Sequence, residues 1–452
     1  MGGGGLAPGR PWAHTEEPGR PVVVGTLSSM ATAAIGVADT CLAAREASLA
    51  LATLDTATKD AALEAIASAL EDRAPEILEA NARDMQAGSD DGLSAALMDR
   101  LELDDARLKG IASDVRTIAA LPDPVGETIE GHRLDNGLDV RRVRVPLGVV
   151  AVVYEARPNV TIDCSALCLK SGNAIVLRGS SMASHSNAVL AQVASAAVAS
   201  VGVPAAAISL VSGGDRDELR QLATQDGLVD LIIPRGGEGL KAALKEHATV
   251  PVMYAAAGNC HVYVDETADL DDAIAIALNA KVQRPGVCNA AETLLVHSSV
   301  AAGFLPRALT ELREAGVELR VDGRARAASG ALADSLADAS DEDWATEYHA
   351  LILSVGVVDS VDEAVQHINR YGSGHSEAIV TGSTSAAQAF TGGVDAACVY
   401  VNASTRFTDG GVFGMGAEIG NSTQKLHARG PIGVRELTSY KFVVEGSGQI
   451  RE

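Results

Sequence analysis

One cysteine of the chain lies in a segment that can expose a nucleophile. Cys288 stands in the stretch QRPGVCN, residues 283–289. Proline and glycine interrupt the apolar pattern there and predict a loop between a helix and a strand. A loop can present a thiol to a cleft, where the thiolate can attack a carbonyl carbon. The alternative for any single cysteine is a small, buried and unreactive packing residue.

The other cysteines carry weaker signals. They lie at positions 41, 164, 168, 260 and 398, without a CxxC pair. No histidine pair has metal-ligand spacing, and no hydrophobic secretion signal opens the chain. We therefore expect reduced thiols that pack in helices or strands, no metal site and a cytoplasmic location.

An amide side chain stands where a predicted strand gives way to a predicted helix. Asn159 belongs to the stretch YEARPNVT, residues 154–161. In a doubly wound sheet this junction is the edge at which ligands bind. Asn159 can donate a hydrogen bond there, or its side chain can cap the helix.

Two further junctions suit a phosphate-bearing ligand. LRGSS, residues 177–181, places the cation of Arg178 and two hydroxyl groups after a strand, and PRGGEG, residues 234–239, joins a strand to a helix. Free backbone N–H groups at a helix start bind phosphate. Neither stretch matches the common phosphate-binding motifs, so a plain turn or a solvated arginine remains the alternative.

The elements that must position these residues follow from hydrophobic periodicity. Residues 31–120 show helical spacing, and residues 126–144 alternate around Asp135-Asn136-Gly137, a hairpin signature. Apolar strands then alternate with helices, which predicts parallel βαβ units. The predicted strands are residues 149–154, 174–177, 208–211, 228–233, 250–254, 261–264, 293–297, 351–358 and 377–381. A helix is expected at residues 270–280, and the strand-like tail 439–445 can pair with the hairpin.

Composition excludes some classes of function. The net charge of -23 disfavours binding to nucleic acid or to an anionic membrane, because both need a basic face. The most apolar stretch, residues 188–211, is broken by polar residues, Gly202 and Pro204, so no membrane span is expected. The Gly- and Pro-rich residues 1–30 are interpreted as a disordered leader, with Met30 as an alternative start.

Together these motifs resemble those of the aldehyde dehydrogenase superfamily, and the resemblance runs from about residue 31 to the last residue. The resemblance also covers VPLGV at 145–149, KSGNA at 170–174 and AEIGNSTQKLHARGP at 417–431. It implies an α/β fold with two Rossmann-like doubly wound domains and a β-hairpin oligomerisation flap. The implied division is the leader 1–30, a cofactor-binding domain 31–125 and 145–256, a catalytic domain 257–425, and a flap 126–144 and 426–452.

The resemblance also implies roles for individual residues. Cys288 would be the nucleophile, with Asn159 and the backbone N–H of Cys288 as the oxyanion hole. The implied NADPH ligands are Arg178, Gly179, Ser180, Ser181, Arg235, Gly236, Gly237 and Glu347. Because substrate and cofactor are anions in an acidic protein, cations must gather at the cleft, and arginine forks suit planar oxyanions. The candidates for the substrate are Arg157, Arg284, Arg406 and Lys425.

One segment of this chain differs from the pattern of the ordinary aldehyde dehydrogenases, and the difference bears on the mechanism. Members that hydrolyse their thioester carry a glutamate in Glu-Leu-Gly-Gly before the cysteine, where this chain reads AAAGN at 255–259. Without a base for water, a thioester on Cys288 survives to exchange with phosphate. The implied activity is NADPH-dependent reduction of L-glutamyl 5-phosphate in proline biosynthesis. A small-molecule substrate, channelling from a glutamate 5-kinase and a homodimer or homotetramer are the implied partners.

Two other interpretations stay open at this point. A CoA-acylating aldehyde dehydrogenase also lacks the hydrolytic glutamate, and only its acyl acceptor differs. A catalytically silent protein of the same fold would bind a ligand or serve as a structural component. The presence of Asn159, Cys288 and Glu347 together argues against the silent protein.

Overall fold

The computed structural model describes residues 36–211, 215–254 and 258–451 of the chain. The expected leader 1–30, with Met30, and residues 255–257 lie outside this range. The α-helices are α1 Val37–Leu51, α2 Thr56–Asp72, α3 Ala74–Asp90, α4 Ala95–Leu101, α5 Asp105–Ala119, α6 Asn159–Lys170, α7 Ser184–Ser200, α8 Arg216–Ala223, α9 Glu238–His247, α10 Leu270–Val282, α11 Ser298–Glu314, α12 Gly323–Ala328, α13 Val361–Tyr371 and α14 Thr384–Gly393. No helix within these ranges is both long enough and apolar enough to cross a membrane.

The strands form three main sheets and a short two-stranded one. They are β1 Thr128–Arg133, β2 Asp139–Pro146, β3 Val149–Tyr154, β4 Ala174–Arg178, β5 Ile208–Leu210, β6 Leu231–Arg235, β7 Cys260–Val264, β8 Ala291–His297, β9 Glu318–Val321, β10 Ala337–Asp338, β11 Ile352–Val358, β12 Ser376–Val380, β13 Cys398–Val401, β14 Asn421–Ser422, β15 Gly430–Pro431 and β16 Thr438–Glu445.

The first parallel sheet has the order β5-β4-β3-β6. Every residue of β3 is buried, as expected for a central strand covered on both faces. The strand predicted at 250–254 is wrong. Only Val252 makes a bridge, to Ile232 of β6, because Pro251 has no N–H to donate and the N–H of Tyr254 turns to Gln424 instead. The strand predicted at 228–233 begins at Leu231, since residues 225–229 form a turn.

The second parallel sheet has the order β10-β9-β11-β8-β7-β12-β13. One hydrophobic cluster, which includes Phe304 and Leu309 of α11, packs against strands of this sheet. Another, with Ile368 of α13 and Phe390 of α14, packs around Tyr263 of β7. The central strand β8 is therefore buried between helices, and the loop that precedes it carries Cys288.

A third, antiparallel sheet has the order β1-β2-β16. The turn between β1 and β2 contains Gly137 with a φ of 89°, a conformation that glycine adopts without strain. Strand β16 pairs with β2 from Thr438 opposite Pro146 to Glu445 opposite Asp139. The predicted pairing of the tail with the hairpin is therefore confirmed.

Candidate active site

Cys288 lies in the loop between α10 and β8, and its side chain is partly exposed. The five other cysteines are buried. This agrees with their expected packing role, since a buried apolar site raises a thiol's pKa and keeps it inert. Among the cysteines of the described ranges, Cys288 is the one that a ligand can reach.

The residue after the nucleophile fixes the loop. Asn289 Nδ2 donates to the carbonyl of Thr408 at 2.9 Å, and Thr405 Oγ1 donates to the carbonyl of Asn289 at 2.7 Å. The side chain of Asn289 is buried. These bonds tie the nucleophile loop to residues 405–408, so Cys288 is held on a supported backbone.

A glycine packs directly against the nucleophile's backbone. A Cβ atom added to Gly258 would lie 1.7 Å from the carbonyl oxygen of Cys288, a distance that no real contact allows. Two residues later, the buried Cys260 donates its thiol hydrogen bond to the same carbonyl at 3.2 Å. Only glycine permits this approach of two loops, so Gly258 sets the position of Cys288.

Charged residues from three separate segments surround Cys288. Burial raises the pKa of the Cys288 thiol, and the carboxylates of Glu347 and Glu418 raise it further, while Arg235 acts in the opposite direction. Glu347 and Arg235 were expected at the site. Glu418 was not, although it stands in the AEIG stretch of the C-terminal motif.

A buried ion pair supports the segment that carries Glu347. Lys281 and Glu292 are both fully buried, with Nζ and Oε2 2.5 Å apart. Burial raises the pKa of Glu292 to about 7 against the opposing effect of Lys281, and the negative charge of Glu347 also raises it. Glu347, with 13% of its side chain exposed, is the neighbour of Tyr348. The Nζ of Lys281 lies 5.9 Å from the centre of the Tyr348 ring, so the ion pair packs beside the segment that carries Glu347.

Asn159 is the first residue of α6, and its side chain does not cap the helix. The capping residue is Pro158, and no side-chain cap hydrogen bond is present. The alternative role of Asn159 as a helix cap is therefore wrong. Its Nδ2 instead donates to Oδ2 of Asp163, 2.8 Å away. Sequence reasoning missed Asp163, which only the one-turn spacing from Asn159 could have indicated.

Three of the four expected substrate cations lie together. Burial lowers the pKa of Arg157, and the nearby cations Arg235 and Arg284 lower it further. Burial and Arg284 lower the pKa of Arg406 in the same way, whereas the charge of Cys288 opposes that shift. Mutual repulsion of this kind shows a concentration of positive charge beside the nucleophile, and such a cluster attracts anions.

Lys425, the fourth expected substrate cation, pairs with an aspartate. Its Nζ is 2.5 Å from Oδ2 of Asp395, which also pairs with Arg429. These residues line a cavity of about 400 Å³ to which Arg157, Arg284 and Arg406 do not contribute. The structure therefore separates Lys425 from the other three candidates.

The expected cofactor residue Arg178 lies at the end of β4 and lines a cavity of about 660 Å³. Arg216 and Arg220 of α8 line it as well, and Leu240 of α9 forms part of an apolar wall. Sequence reasoning missed both arginines. Their signal was the basic and acidic alternation of α8, which also fits a solvated helix.

The neighbours of Arg178 have structural partners. The hydroxyl of Ser180 accepts the N–H of Met182 at 3.1 Å, and Ser181 begins the short 3-10 turn that follows. Gly179 packs so closely against Asn187 that a Cβ atom would lie 2.1 Å from its amide nitrogen. The LRGSS stretch is therefore a close-packed turn that leaves the Arg178 side chain facing the cavity.

The turn before α9 was expected to carry free backbone N–H groups, but one of them already has a partner. The Gly237 N–H donates to Oε1 of Glu155 at 3.1 Å. A Cβ atom on Gly236 would lie 2.8 Å from the same carboxylate. A carboxylate thus occupies the anion position at this helix start, because an unpaired N–H there favours any nearby negative charge.

Metal ligands do not gather in the part of the chain that the structure describes. No group of three or more histidine, cysteine, aspartate or glutamate side chains there is placed to hold an ion.

Two parallel α/β sheets with a supported cysteine loop are the features of an aldehyde dehydrogenase. The model of the aldehyde dehydrogenase family matches residues 13–335 and 332–443, and the chain belongs to that family. A γ-glutamyl phosphate reductase of Thermobifida fusca is 55% identical over 408 residues, covering 90% of this chain and 97% of the relative. One from Moorella thermoacetica is 54% identical over 409 residues, covering 90% and 97%. The expected resemblance to the aldehyde dehydrogenase superfamily is confirmed, and within that family the chain is similar to γ-glutamyl phosphate reductases.

Solved structures agree. The crystal structure of γ-glutamyl phosphate reductase from Thermotoga maritima has a TM-score of 0.90 and 45% identity, covering 92% of this chain and all of that one. An acetylating aldehyde dehydrogenase from Geobacillus thermoglucosidasius, at 19% identity and a TM-score of 0.63, covers 92% of this chain and 97% of its own. The latter shares the fold alone. The expected aldehyde dehydrogenase-like α/β fold is confirmed.

Proposed function

We propose that the protein reduces L-glutamyl 5-phosphate to L-glutamate 5-semialdehyde and phosphate with NADPH, as a step of proline biosynthesis in the cytoplasm. The observation that carries the proposal is a reachable Cys288 beside the cluster of Arg157, Arg284 and Arg406. The cysteine supplies a nucleophile and the arginines suit an anionic acyl phosphate. The names of the relatives point to the same substrate.

The first chemical step forms a thioester. The Cys288 thiol loses its proton, and its sulfur attacks the acyl carbon of the substrate. The carbonyl oxygen becomes an oxyanion, which the Asn159 amide and the Cys288 backbone N–H stabilise. When the oxyanion collapses, the bond from carbon to the phosphate oxygen breaks, and phosphate leaves with the proton that the Cys288 thiol gave up.

The second step releases the aldehyde. NADPH, when bound, supplies the hydride that reduces the thioester carbonyl. The electron pair on the oxygen of that carbonyl then re-forms the carbonyl of the aldehyde, the bond between carbon and the Cys288 sulfur breaks, and the sulfur leaves as a thiolate that takes up a proton from water. Glu347 is proposed to hold the nicotinamide ribose, and the buried Lys281–Glu292 pair lies beside its segment.

The larger cavity fits the adenosine end of NADPH. Arg178, Arg216 and Arg220 supply positive charge, and Leu219 and Leu240 supply an apolar wall for the adenine. A cation at this place accommodates the 2′-phosphate that distinguishes NADPH from NADH. Ser180, Ser181, Arg235, Gly236 and Gly237 remain proposed neighbours of the cofactor.

Replacing the cation at the cavity tests the cofactor assignment. We expect Arg178→Ala to weaken NADPH binding by roughly tenfold or more, the scale of a lost charged hydrogen bond, with little change for NADH. Fluorescence titration of both cofactors measures this. Arg313→Ala, an exposed arginine of α11, is the matched control and should change neither affinity. Equal loss for NADPH and NADH would contradict the assignment.

The acyl acceptor tests the reaction itself. In the oxidative direction, glutamate 5-semialdehyde and NADP without phosphate should yield one NADPH per active site and then stop, because residues 255–257 offer no base to activate water. Phosphate or arsenate should restore sustained turnover. Sustained turnover in phosphate-free buffer would overturn the proposal, and restoration by CoA but not phosphate would indicate a CoA-acylating enzyme.

The proposed function also implies a division of the chain into domains and a flap. We propose residues 31–125 and 145–256 as the cofactor-binding domain and residues 257–425 as the catalytic domain. The β1-β2-β16 sheet, whose residues Tyr440, Phe442 and Val444 are exposed, supports the proposed oligomerisation flap, residues 126–144 and 426–452, of a homodimer or homotetramer. Channelling from a glutamate 5-kinase and a substrate contact of Lys425 stay predictions.

A further inference from the structure

We propose that Asp163 is a positioning residue, which holds the Asn159 amide with one N–H pointing to the oxyanion. The inference rests on the proposed function, in which Asn159 stabilises that oxyanion. It is carried by the hydrogen bond from Asn159 Nδ2 to Asp163 Oδ2, 2.8 Å long.

The helix itself brings the two side chains together. Asn159 is the first residue of α6 and Asp163 lies one turn later, so both project from the same face. Pro158 precedes them as the capping residue, without a side-chain cap bond. The Asn159 amide therefore has no capping role that would turn it back toward the helix start.

The chemistry of the pair decides which end of the amide is presented. An asparagine carries a donor nitrogen and an acceptor oxygen at the end of one rotatable bond, and a flip exchanges them. When it is ionised, the Asp163 carboxylate only accepts, and in that form it selects the orientation with the Asn159 nitrogen toward it. The second N–H stays free for the oxyanion, and the amide oxygen, which would repel the oxyanion, is turned away.

The charges around Asp163 connect it to the nucleophile. Burial raises its pKa to about 7, the bond from Asn159 opposes this, Asp114 of α5 raises it further, and Arg235 at the end of β6 lowers it. The same Arg235 lowers the pKa of the Cys288 thiol. The charge of Arg235 thus acts on the pKa of both groups.

A double-mutant cycle tests whether Asp163 acts through Asn159. We expect Asp163→Ala to lower kcat about tenfold, a part of the roughly 10²-fold cost of losing an oxyanion donor altogether. The KM for NADPH and the melting temperature should change little. In the Asn159→Ala background, Asp163→Ala should cause no further loss, because the group that it orients is already absent.

Two more variants complete the test. Asp163→Asn keeps the same reach but can donate as well as accept, so it no longer selects one orientation and its kcat should lie between those of the wild type and of Asp163→Ala. Asp163→Ser is too short to reach Asn159 and replaces Asp163→Ala in the test if the alanine variant does not fold. Additive losses of kcat in the double variant would overturn the positioning role. If Asn159→Ala alone leaves kcat unchanged while Asp163→Ala lowers it, the oxyanion assignment of Asn159 fails instead.

Discussion

Cys288→Ala is expected to abolish reduction of the acyl phosphate while leaving NADPH binding intact. Alanine has no atom that can bond to the acyl carbon, so the thioester cannot form. The cavity proposed for the cofactor is lined by Arg178 and by residues of α8 and α9, and Cys288 is not among them. The variant should therefore separate chemistry from binding.

The measurement is steady-state oxidation of NADPH with L-glutamyl 5-phosphate, together with a fluorescence titration of NADPH. Cys41→Ala, at a buried position of α1, is the matched control and should retain turnover. Mass spectrometry of the wild type, mixed with the acyl phosphate alone, should find the acyl group on the peptide that contains Cys288. Near-normal turnover by Cys288→Ala would remove the residue from the mechanism.

The second large effect is expected at Asn159. Asn159→Ala should lower kcat by roughly 10²-fold or more, the usual scale for losing one oxyanion donor. Because Asn159 does not cap α6, the loss should not come from an unfolded helix. KM for NADPH should be close to the wild-type value, since the amide acts in the transition state and not on the cofactor.

A comparison of kcat and of thermal unfolding checks this expectation. Asn136→Ala, in the turn between β1 and β2, removes an asparagine that also makes a local hydrogen bond, and should leave kcat unchanged. A kcat for Asn159→Ala within about twofold of the wild type would mean that other donors stabilise the oxyanion, because even one lost donor costs far more than that.

Local sequence was sufficient for the elements that carry the site. The apolar run of β3 and the Asp135-Asn136-Gly137 turn are signals that depend on neighbouring residues alone. The same holds for the loop of Cys288, where proline and glycine interrupt helix and strand. In each case the conformation depends on backbone restrictions and hydrophobic spacing within a few residues, so the prediction needed no knowledge of the rest of the chain.

Predictions from local sequence were wrong where a residue's hydrogen bonds depend on a partner that is far away in the chain. The strand predicted at 250–254 contains Pro251, and its path depends on β6 and on Gln424. The N–H of Gly237, expected to be free, is taken by Glu155, which is distant in sequence. Sequence periodicity carries no information about such pairings.

By itself, the sequence determined that this chain has alternating strands and helices, a loop with a reachable cysteine and an amide at a strand-to-helix junction. Tertiary structure alone decided that Glu418 and Arg235 face Cys288, and that Lys425 pairs with Asp395 away from the arginine cluster. The physical reason is the order of strands in the two sheets. That order brings together strand ends and loops that are far apart in the chain, and electrostatic forces act through this short distance in space.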